Sequence, residues 1–334
     1  MLLQPITIIG GGLTGLSLAI ALRKNGIPVI LHEAGIYPRH RVCGEFISGI
    51  LQKTLNALGI ADLFHDCRYH TDFTWFSANQ LLRQSLLPTP ALGISRYVLD
   101  DRLQKLATDL GVEIKTRSRQ KPDPGKAGLI WTAGRKPVKG EWLGLKAHLR
   151  DLDTSQHLEM HNGPFGYLGI APIEDGLSNV CGLFKIDRTI SQTHQNLLVA
   201  YLSKNGNTHL AKKFKTATWR ENSFTAVAGF ELGRQIPTPG ILSLGDSYAI
   251  IPPYTGNGMT MAFQSAEIAL PHLLTFSRNQ TPWSTTCAKI EKKIHEKFHT
   301  RLTASKFLHP FLLQPKARTF LKHLPLRPIL KLVR

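Results

Sequence analysis

The hydrophobic pattern at the start of the chain predicts a strand, a helix and a second strand. The run ITIIG at 6–10 is apolar and β-branched, which is typical of a buried parallel strand. The following LTGLSLAIALRKNG has helical periodicity and ends at Gly26, a residue type that commonly ends helices. The next apolar run is PVILHEA. Residues 5–34 are therefore predicted to form a βαβ unit.

The pattern changes to alternation in the middle of the chain. TDFTWFSANQLLRQSLL at 71–87 alternates as a hairpin does, with Ala-Asn as the turn. SRYVLDDRLQKLATDLGVEIKT predicts a helix and then a strand, and GLIWTAGRKP predicts a buried strand. Five segments predict strands of a separate sheet, with a helix at 191–204 between them: WLGLKAHLRDL, QHLEMHN, GYLGIAPIE, SNVCGLFKI and TATWRENSFTA.

The last part of the chain is predicted to be mostly helical. GILSLGD is a short buried strand, and GMTMAFQSAEIALPHLL is a helix. Residues 284–334 continue as helix, with breaks expected at Pro310, Pro315, Pro325 and Pro328.

The first glycine cluster has the spacing of a dinucleotide-binding turn. Gly10, Gly12 and Gly15 form a GxGxxG pattern between the first strand and the first helix. Glu33 follows 18 residues after Gly15, at the end of the second strand. In this context the first glycine permits the tight turn, the second lets a pyrophosphate approach, and the third lets helix and strand pack. Glu33 is placed to accept hydrogen bonds from a ribose.

A second glycine cluster, GDSYAIIPPYTGNGMT at 245–260, begins where another predicted strand ends. Asp246 lies at the carboxyl end of that strand, where open α/β sheets bind ligands. Gly256 and Gly258 again precede a helix and allow a ligand to approach the backbone. Two such sites in one chain suit one long ligand, and FAD has that length.

Composition excludes several other classes of protein. The four cysteines, at 43, 67, 181 and 287, form no CxxC pair, which argues against a zinc ribbon or a disulfide scaffold and favours a reducing cytoplasm. The first residues have no features of a signal peptide, and no apolar stretch is long enough to span a membrane. We therefore expect a cytoplasmic protein.

The net charge of +18 is concentrated at the end of the chain. From Lys289 to Arg334 there are twelve Lys or Arg residues and two Glu residues. The tail 305–334 interleaves apolar and basic residues, so it either packs on the body or makes weak contact with an anionic membrane surface. Charge alone also suggests nucleic acid, but no nucleic-acid-binding motif accompanies it, and we expect no such partner.

Four motifs together resemble a known family. They are GGGLTG with Glu33, RVCGE at 41–45, SRYVLDDRL from Ser95, and GDSYAIIPPYTGNGM from Gly245. The chain is similar to FAD-dependent oxidoreductases of the para-hydroxybenzoate-hydroxylase fold, and within them to the branch of geranylgeranyl reductases and flavin halogenases. The resemblance covers residues 6 to about 270.

The resemblance implies an α/β fold in which a Rossmann-like FAD-binding domain is interleaved with an α+β, antiparallel-sheet substrate domain and followed by a helical C-terminus. Residues 1–70, 96–140 and 235–283 would form the FAD-binding domain, 71–95 and 141–234 the substrate domain, and 284–334 the basic C-terminal segment. The residues implied to bind FAD are Gly10, Gly12, Leu13, Thr14, Gly15, Glu33, Arg41, Cys43, Gly44, Arg96, Asp246, Pro253, Gly256, Gly258 and Met259.

The chain departs from the family pattern at two places. Hydroxylases of this fold often carry an Asp-Gly pair after a central strand, linked to FAD and NADPH binding, where this chain has Ala133-Gly134. This departure leaves two electron donors open: NAD(P)H that binds transiently, or another protein that delivers the electrons. Halogenases need a lysine beyond the flavin, and residues 54–80 contain none. Halogenation is disfavoured on this ground and because a diagnostic aromatic pattern is missing.

That missing pattern also predicts a wide substrate pocket. In GYLGIAPIEDG the positions of Tyr167 and Pro172 fit the family, but Gly169 and Ala171 replace bulky residues. These two residues share one strand face, so we predict that they and Tyr167 line a pocket for a bulky apolar or aromatic substrate. The alternative is that other side chains fill the space.

The sequence offers no strong catalytic residue. Cys43 sits beside the predicted flavin as a proton donor or merely as a small apolar residue, and His40 and Tyr254 are placed similarly. HEKFH at 295–299 matches a zinc-protease signature, but lysines surround it and no later acid supplies a third ligand. We therefore expect no metal.

These observations predict an enzyme, an FAD-dependent oxidoreductase. The favoured reaction is monooxygenation or hydroxylation of a bulky aromatic or polyketide-like substrate, since FAD itself carries that chemistry. The alternative is a reductase or dehydrogenase that acts on C–C bonds of an isoprenoid or acyl chain.

Overall fold

The computed structural model describes residues 2–152 and 157–313. In chain order the strands are β1 (Ile6–Ile9), β2 (Val29–His32), β3 (Phe46–Ile47), β4 (Arg68–Ser77), β5 (Gln80–Gly93), β6 (Glu113–Lys115), β7 (Leu129–Trp131), β8 (Trp142–Arg150), β9 (Leu158–Gly163), β10 (Gly166–Pro172), β11 (Ser178–Lys185), β12 (Thr218–Trp219), β13 (Thr225–Ala228), β14 (Gly233–Arg234), β15 (Leu242–Ser243) and β16 (Ala249–Ile250). The helices are α1 (Leu13–Lys24), α2 (Gln52–Leu58), α3 (Arg96–Asp109), α4 (His194–Lys204), α5 (Thr208–Thr216), α6 (Gly258–Ser277) and α7 (Trp283–Leu312).

The first sheet has five parallel strands in the order β15-β7-β1-β2-β6. α1 connects β1 to β2, which confirms the predicted βαβ unit. α1 and α6 contribute to one large apolar core, in which Leu16 and Phe263 are fully buried. The carboxyl ends of β1 and β15 lead directly into the two glycine clusters, so the sheet brings both clusters to the same edge.

The second sheet is built mainly from antiparallel strands, in the order β12-β8-β11-β10-β9-β4-β5-β3, and β13 also pairs with β8. β4 and β9 are its parallel pair. The predicted hairpin is present as β4 and β5, and its turn residues Ala78 and Asn79 both have positive φ, as tight two-residue turns require. The α/β fold with an antiparallel second sheet is thus confirmed.

Single residues bear on the start of α3 and on the end of α7. Ser95 caps α3, since its side chain accepts a hydrogen bond from the Val98 amide at 3.1 Å. α7 runs through Pro310 to Leu312, so the break expected at Pro310 is wrong. This proline lies in the last turn, where few backbone hydrogen bonds remain to be lost. The other three prolines, and most of the tail 305–334, lie outside the described residues.

Two strands, β3 and β14, pair across the predicted division of the chain. β14 pairs with β16 in a separate two-stranded sheet. All five strands of the parallel sheet lie in ranges assigned to the FAD-binding domain. β3 also lies in a range assigned to the FAD-binding domain, but it pairs with β5 of the second sheet. The loop that precedes β3 is therefore held between the two sheets. The domain boundaries themselves stay a prediction. No helix in the described part of the chain has the length and apolar character needed to cross a bilayer.

Candidate functional site

The first glycine cluster forms a tight turn with an open helix end. Gly10 has a φ of +109°, and a Cβ there would lie 2.4 Å from the Thr132 carbonyl oxygen. A Cβ on Gly15 would lie 2.0 Å from the Gly10 carbonyl oxygen. By contrast, a Cβ on Gly12 would meet no atom within 4 Å. Gly10 and Gly15 therefore shape the turn, while Gly12 leaves the N-terminus of α1 open to a ligand.

Glu33 is buried beside this turn and is held by protein donors. Its Oε2 accepts from the Gly11 amide at 2.8 Å. Its Oε1 accepts from the Gly35 amide at 2.8 Å and from Arg39 Nη2 at 2.7 Å. Because each carboxylate oxygen has two lone pairs, Oε2 retains capacity for one further donor, such as a ribose hydroxyl.

Two of the predicted cofactor residues, Arg41 and Arg96, share one buried anchor. Asp100 is fully buried, and its Oδ2 accepts from Arg41 Nε at 2.9 Å. Arg96 binds the same carboxylate with two hydrogen bonds, of 2.7 and 2.8 Å. Burial lowers the pKa of Arg96 and the Asp100 charge raises it, with a net increase. Asp100 lies within the SRYVLDDRL motif but was not among the residues predicted at the cofactor site. Its position, four residues or one helical turn after Arg96, was the available signal.

The second glycine cluster closes against the first. Gly245 has a φ of +61°, and a Cβ there would lie 2.3 Å from Thr14 Oγ1 on α1. Asp246 follows, with its side chain exposed to the cavity described below, whose protein walls limit its contact with bulk water. This desolvation raises the pKa of Asp246, and the nearby charges of Arg96, Arg135 and Arg41 oppose the increase.

The loop after Asp246 also needs its glycines. Gly256 has a φ of +64°, and a Cβ there would lie 2.1 Å from the Phe46 ring. A Cβ on Gly258 would meet nothing nearer than 3.9 Å, so the start of α6 is open. As at α1, one glycine shapes the backbone and another leaves a helix N-terminus accessible.

A single cavity of about 650 Å³ joins these elements. Its walls include every residue implied to bind FAD except Gly15, which packs α1 on the turn. The structure therefore brings together Gly10, Gly12, Leu13, Thr14, Glu33, Arg41, Cys43, Gly44, Arg96, Asp246, Pro253, Gly256, Gly258 and Met259. Their role in cofactor binding stays a prediction.

The far end of the cavity is apolar. Tyr167, Leu183 and Phe230 line it and pack together. The Tyr167 hydroxyl accepts from the Tyr254 amide at 3.1 Å. The Tyr254 hydroxyl donates to the Ser305 carbonyl oxygen at 3.0 Å, which ties α7 to this end of the cavity.

The three predicted pocket residues are placed differently from one another. Tyr167 lines the cavity. Gly169 lies on the same strand face and pairs with Cys181 of the cavity wall, and a Cβ there would meet nothing nearer than 3.8 Å. Ala171 is buried against Ala91 and Leu158, away from the cavity walls. Widening at Gly169 stays a prediction, whereas the position of Ala171 is filled by neighbours.

The three weak catalytic candidates lie in or beside the cavity. Cys43 and His40 line it, and Tyr254 contacts it through Tyr167. Burial raises the pKa of the Cys43 thiol and that of the Tyr254 hydroxyl, so both are neutral at pH 7. Their roles stay predictions.

Sequence reasoning missed a buried ionisable cluster behind the cavity wall. It consists of Glu45, Lys146 and His148, all fully buried, with Lys146 bonded to His40. Glu45 belongs to the RVCGE motif, and its φ of +55° lies in the left-handed region that residues other than glycine rarely adopt. Lys146 and His148 are polar residues on alternating positions of an otherwise apolar strand, which was the available signal.

The HEKFH match is a pair of histidines on α7. The rings of His295 and His299 are 4.8 Å apart, and Glu296 forms an ion pair with Lys293 at 3.7 Å. Among residues 2–152 and 157–313, no group of three or more His, Cys, Asp or Glu side chains is arranged to hold a metal.

The polar end of the cavity fits an anionic dinucleotide such as FAD. Arg41 Nη2 is buried and makes no hydrogen bond to the described residues, and it lies 3.8 Å from Glu33 Oε2. Gly12 leaves room at a helix N-terminus. A pyrophosphate would accept hydrogen bonds from Arg41 Nη2 and from the backbone amides at the N-terminus of α1.

Known proteins with similar sequences match part of this chain. The model of the pyridine nucleotide-disulphide oxidoreductase family matches residues 5–65. The putative FAD-dependent monooxygenase YetM of Bacillus subtilis (strain 168) is 39% identical over an alignment of 127 residues that covers 34% of this chain and 33% of YetM. Conditioned medium factor receptor 1 of Dictyostelium discoideum is 27% identical over 127 residues, 25% of its length. The alignments thus cover a third or less of these relatives.

Solved structures match almost the whole chain at low identity. HpxO of Klebsiella pneumoniae, complexed with FAD and uric acid, has a TM-score of 0.77 and 13% identity over 98% of this chain and 95% of HpxO. The flavin-dependent brominase Bmp2 has a TM-score of 0.76 and 18% identity over 98% of this chain and 92% of Bmp2. The expectation against halogenation gains no support, because the brominase matches about as well as HpxO.

Proposed function

Because its fold is that of FAD-dependent monooxygenases and halogenases, we propose that this chain binds FAD in the cavity and catalyses a monooxygenation or hydroxylation. The observation that carries the proposal is one continuous cavity with two chemically different ends. Gly12, Arg41 and Asp246 lie at the polar end, and Tyr167 and Phe230 at the apolar end. A cofactor whose phosphates occupy the first end would reach toward an apolar substrate at the second.

The chain's own residues would hold the cofactor in three ways. The open amides at the N-terminus of α1 and the Arg41 guanidinium would bind the pyrophosphate. Glu33 would accept from a ribose, and Asp246 from the ribityl chain. FAD, once reduced, would supply the activation of O₂. The apolar walls around Tyr167 would exclude water from that reaction.

The electron donor is proposed to be NAD(P)H, bound transiently. Ala133, Gly134 and Arg135 line the cavity after β7, and the Arg135 guanidinium lies 5.8 Å from the centre of the Phe230 ring. A cationic side chain between the two ends of the cavity suits a dinucleotide phosphate. The substrate is proposed to be apolar or aromatic, since the rings of Tyr167, Phe230 and Trp142 belong to the same apolar cluster.

The test is made on the purified protein and its reduced cofactor. We expect yellow protein from which heat releases stoichiometric FAD, identified by chromatography. The bound FAD is then reduced with NADPH or, failing that, dithionite, and is mixed with O₂ in a stopped-flow instrument. A transient absorbing species that precedes oxidised FAD is expected for an oxygenase. Protein that takes up no FAD would overturn the proposal.

The same assay separates the alternative reactions. Direct reoxidation without a transient would favour a reductase or dehydrogenase of C–C bonds in an isoprenoid or acyl chain. Halogenation is tested by adding bromide and an activated phenol such as phenol red, with bromination followed by mass spectrometry. Halogenation was disfavoured on two grounds, a missing aromatic pattern and the lack of a lysine at 54–80, but Lys146 is buried behind the cavity wall and contacts His40.

The width of the apolar end gives a further prediction. The Gly169→Trp substitution is expected to fill the open space beside Cys181. A Cβ added at Gly169 would have no neighbouring atom nearer than 3.8 Å. FAD content should stay normal, while binding of the apolar dye 8-anilino-1-naphthalenesulfonate to the holoprotein should weaken by at least about tenfold. Leu81→Trp, on the exposed hairpin, is the control. Equal dye affinity in both variants would show that position 169 lies outside the pocket.

A further inference from the structure

The buried ionisable cluster lies outside the apolar cores of the protein. Lys146 and His148 lie on the face of β8 opposite the apolar core that its other residues join. Replacing buried ion pairs by apolar side chains is often neutral or stabilising, so burial of Glu45, Lys146 and His148 is not needed to hold the sheet. Perturbed ionisable groups beside a cavity are more typical of functional sites.

Hydrogen bonds link the cluster into a chain that ends at the cavity. His148 Nε2 donates to Glu45 Oε2 at 2.5 Å. Lys146 Nζ lies 3.3 Å from Glu45 Oε1 and 3.0 Å from His40 Nδ1. His40 is half-buried and lines the cavity. The backbone amide of Arg96 also donates to Glu45 Oε1, at 2.9 Å, which connects the cluster to the cofactor end of the cavity.

The contact with Lys146 determines where His40 carries its proton. An ammonium group has three N–H donors and no acceptor, so Lys146 donates and His40 Nδ1 accepts. In the neutral imidazole the proton is then on Nε2. His40 lines the cavity, its Nδ1 contacts Lys146, and its N–H donor is on the other ring nitrogen.

The surroundings keep His40 neutral at pH 7. Burial lowers the pKa of His40 to about 4, with the charges of Lys146, His148 and Arg220 acting in the same direction and Glu45 opposing them. The Tyr97 ring of α3 stacks on the His40 ring, with 4.6 Å between the ring centres, and adds no charge. Burial also lowers the pKa of Lys146, against the raising effect of Glu45, so this ammonium gives up a proton more easily than an exposed one.

We propose that His40 and Lys146 form a proton relay that delivers one proton to the reaction in the cavity. His40 is the catalytic residue that gives the proton, and Lys146 is the group behind it that replaces it. Glu45 and His148 hold Lys146 in position. The proposal deepens the proposed function and rests on it, although the tautomer of His40 does not.

The relay balances without any further reactant. His40 Nε2 loses its proton to the acceptor in the cavity, while Lys146 passes a proton to Nδ1. The imidazole stays neutral, and Lys146 becomes a neutral amine that accepts from Nδ1–H. A solvent proton returns through Nε2 after the product leaves. Reduced FAD, if bound in the cavity, would supply electrons to O₂, and His40, backed by Lys146, would supply the one proton that this reaction consumes.

The first arm of the test needs no cofactor. Nitrogen-15 NMR of histidine-labelled protein at pH 7 should show His40 neutral with its proton on Nε2. Lys146→Met should raise the pKa of His40 by at least about one unit, because the charge of the lysine is removed. Lys105→Met, which alters an exposed lysine on α3, should leave it unchanged. If Lys146→Met is unstable, the double variant Glu45→Gln/Lys146→Met should shift the pKa in the same direction, since the effect of the lysine exceeds that of the glutamate.

The second arm measures proton delivery itself. In FAD-loaded His40→Ala, reoxidation of the reduced cofactor by O₂ at pH 7 should slow by at least about tenfold. Added imidazole should restore the rate in a saturable way, because the half-exposed position leaves a ring-sized space at the cavity wall. His65→Ala, which removes an exposed histidine, should behave as the wild type with and without imidazole.

The outcomes separate the relay from the proposed function. A His40 proton on Nδ1, or an unshifted pKa in both lysine variants, overturns the relay whether or not the protein binds FAD. Wild-type reoxidation rates in His40→Ala with normal FAD content also overturn it. A protein that shows the expected tautomer and pKa shift but binds no FAD would disprove the proposed function and leave the proton pair itself established.

Discussion

Replacement of Gly12 by aspartate is expected to weaken FAD binding by at least about 100-fold while the apoprotein stays folded. A side chain at this position meets no protein atom within 4 Å, and Gly12 has the extended backbone of an N-cap residue. Aspartate is a favoured N-cap, so the apoprotein should be as stable as the wild type or slightly more stable. A carboxylate there would repel a pyrophosphate by several kcal/mol at about 4 Å.

The comparison variant is Gly12→Asn, which has nearly the same size and capping ability but no charge. We expect an affinity between those of the wild type and Gly12→Asp, measured by titration of apoprotein with FAD. Thermal stability is compared in apoproteins, because a bound ligand raises the unfolding free energy by an amount that grows with the logarithm of its affinity. Unchanged FAD affinity in Gly12→Asp would show that the pyrophosphate does not lie at α1.

Gly15→Ala is expected to destabilise the fold, in contrast to Gly12→Asp, which is expected to weaken FAD binding in a folded protein. Its Cβ would lie 2.0 Å from the Gly10 carbonyl oxygen, so α1 must move away from the turn. This variant is expected to lose folding stability, not ligand affinity alone. The contrast between two glycines three residues apart follows from their different roles, one facing the ligand and one facing the backbone.

The cofactor end of the cavity could be predicted because its requirements are local. Gly10 and Gly256 adopt positive φ, and Gly12 and Gly258 open the starts of two helices. Such needs restrict the residue type at each position, so they are visible in short stretches of sequence. The parallel pairing of β1 with β2 follows from a single βαβ unit in the same way.

The cluster of Glu45, Lys146 and His148 could not be predicted because its members are distant in sequence. Glu45 meets His148 across 103 residues, and Lys146 meets His40 across 106. Their contact depends on how β3 and β8 are placed relative to the cavity, which no local pattern encodes. Alternation on β8 indicated a shared face but not what covers it.

Ala171 illustrates the same limit on one strand. Alternation correctly placed Tyr167, Gly169 and Ala171 on one face of β10. The neighbours across that face change along the strand, from the cavity at Tyr167 to Ala91 and Leu158 at Ala171. Membership of a face is a property of the strand, whereas access to a pocket is a property of the packing around it.

Asp100→Asn is expected to have the largest effect on stability. Asp100 is fully buried and is the shared partner of Arg41 and Arg96, so removal of its charge takes the 2.7 Å ion pair from Arg96 and the shorter of two ion pairs from Arg41. Breaking a buried ion pair from one side typically costs about 3–5 kcal/mol. FAD affinity should also fall, because Arg41 and Arg96 line the cavity and would no longer be held in position. Urea unfolding of the apoprotein and FAD titration measure the two effects.

Asp101→Asn is the matched control at the adjacent position. Asp101 pairs with exposed Lys105 on the outer face of α3, and such surface pairs contribute about 0.3–0.5 kcal/mol. If Asp100→Asn does not fold, Arg41→Gln removes one partner whose side chain is 25% exposed and tests the cofactor effect alone. A loss of FAD affinity in Arg41→Gln with near-normal stability is expected. Equal stability of the two aspartate variants would show that Asp100 does not anchor the arginines, and unchanged affinity in Arg41→Gln would exclude its guanidinium from the cofactor site.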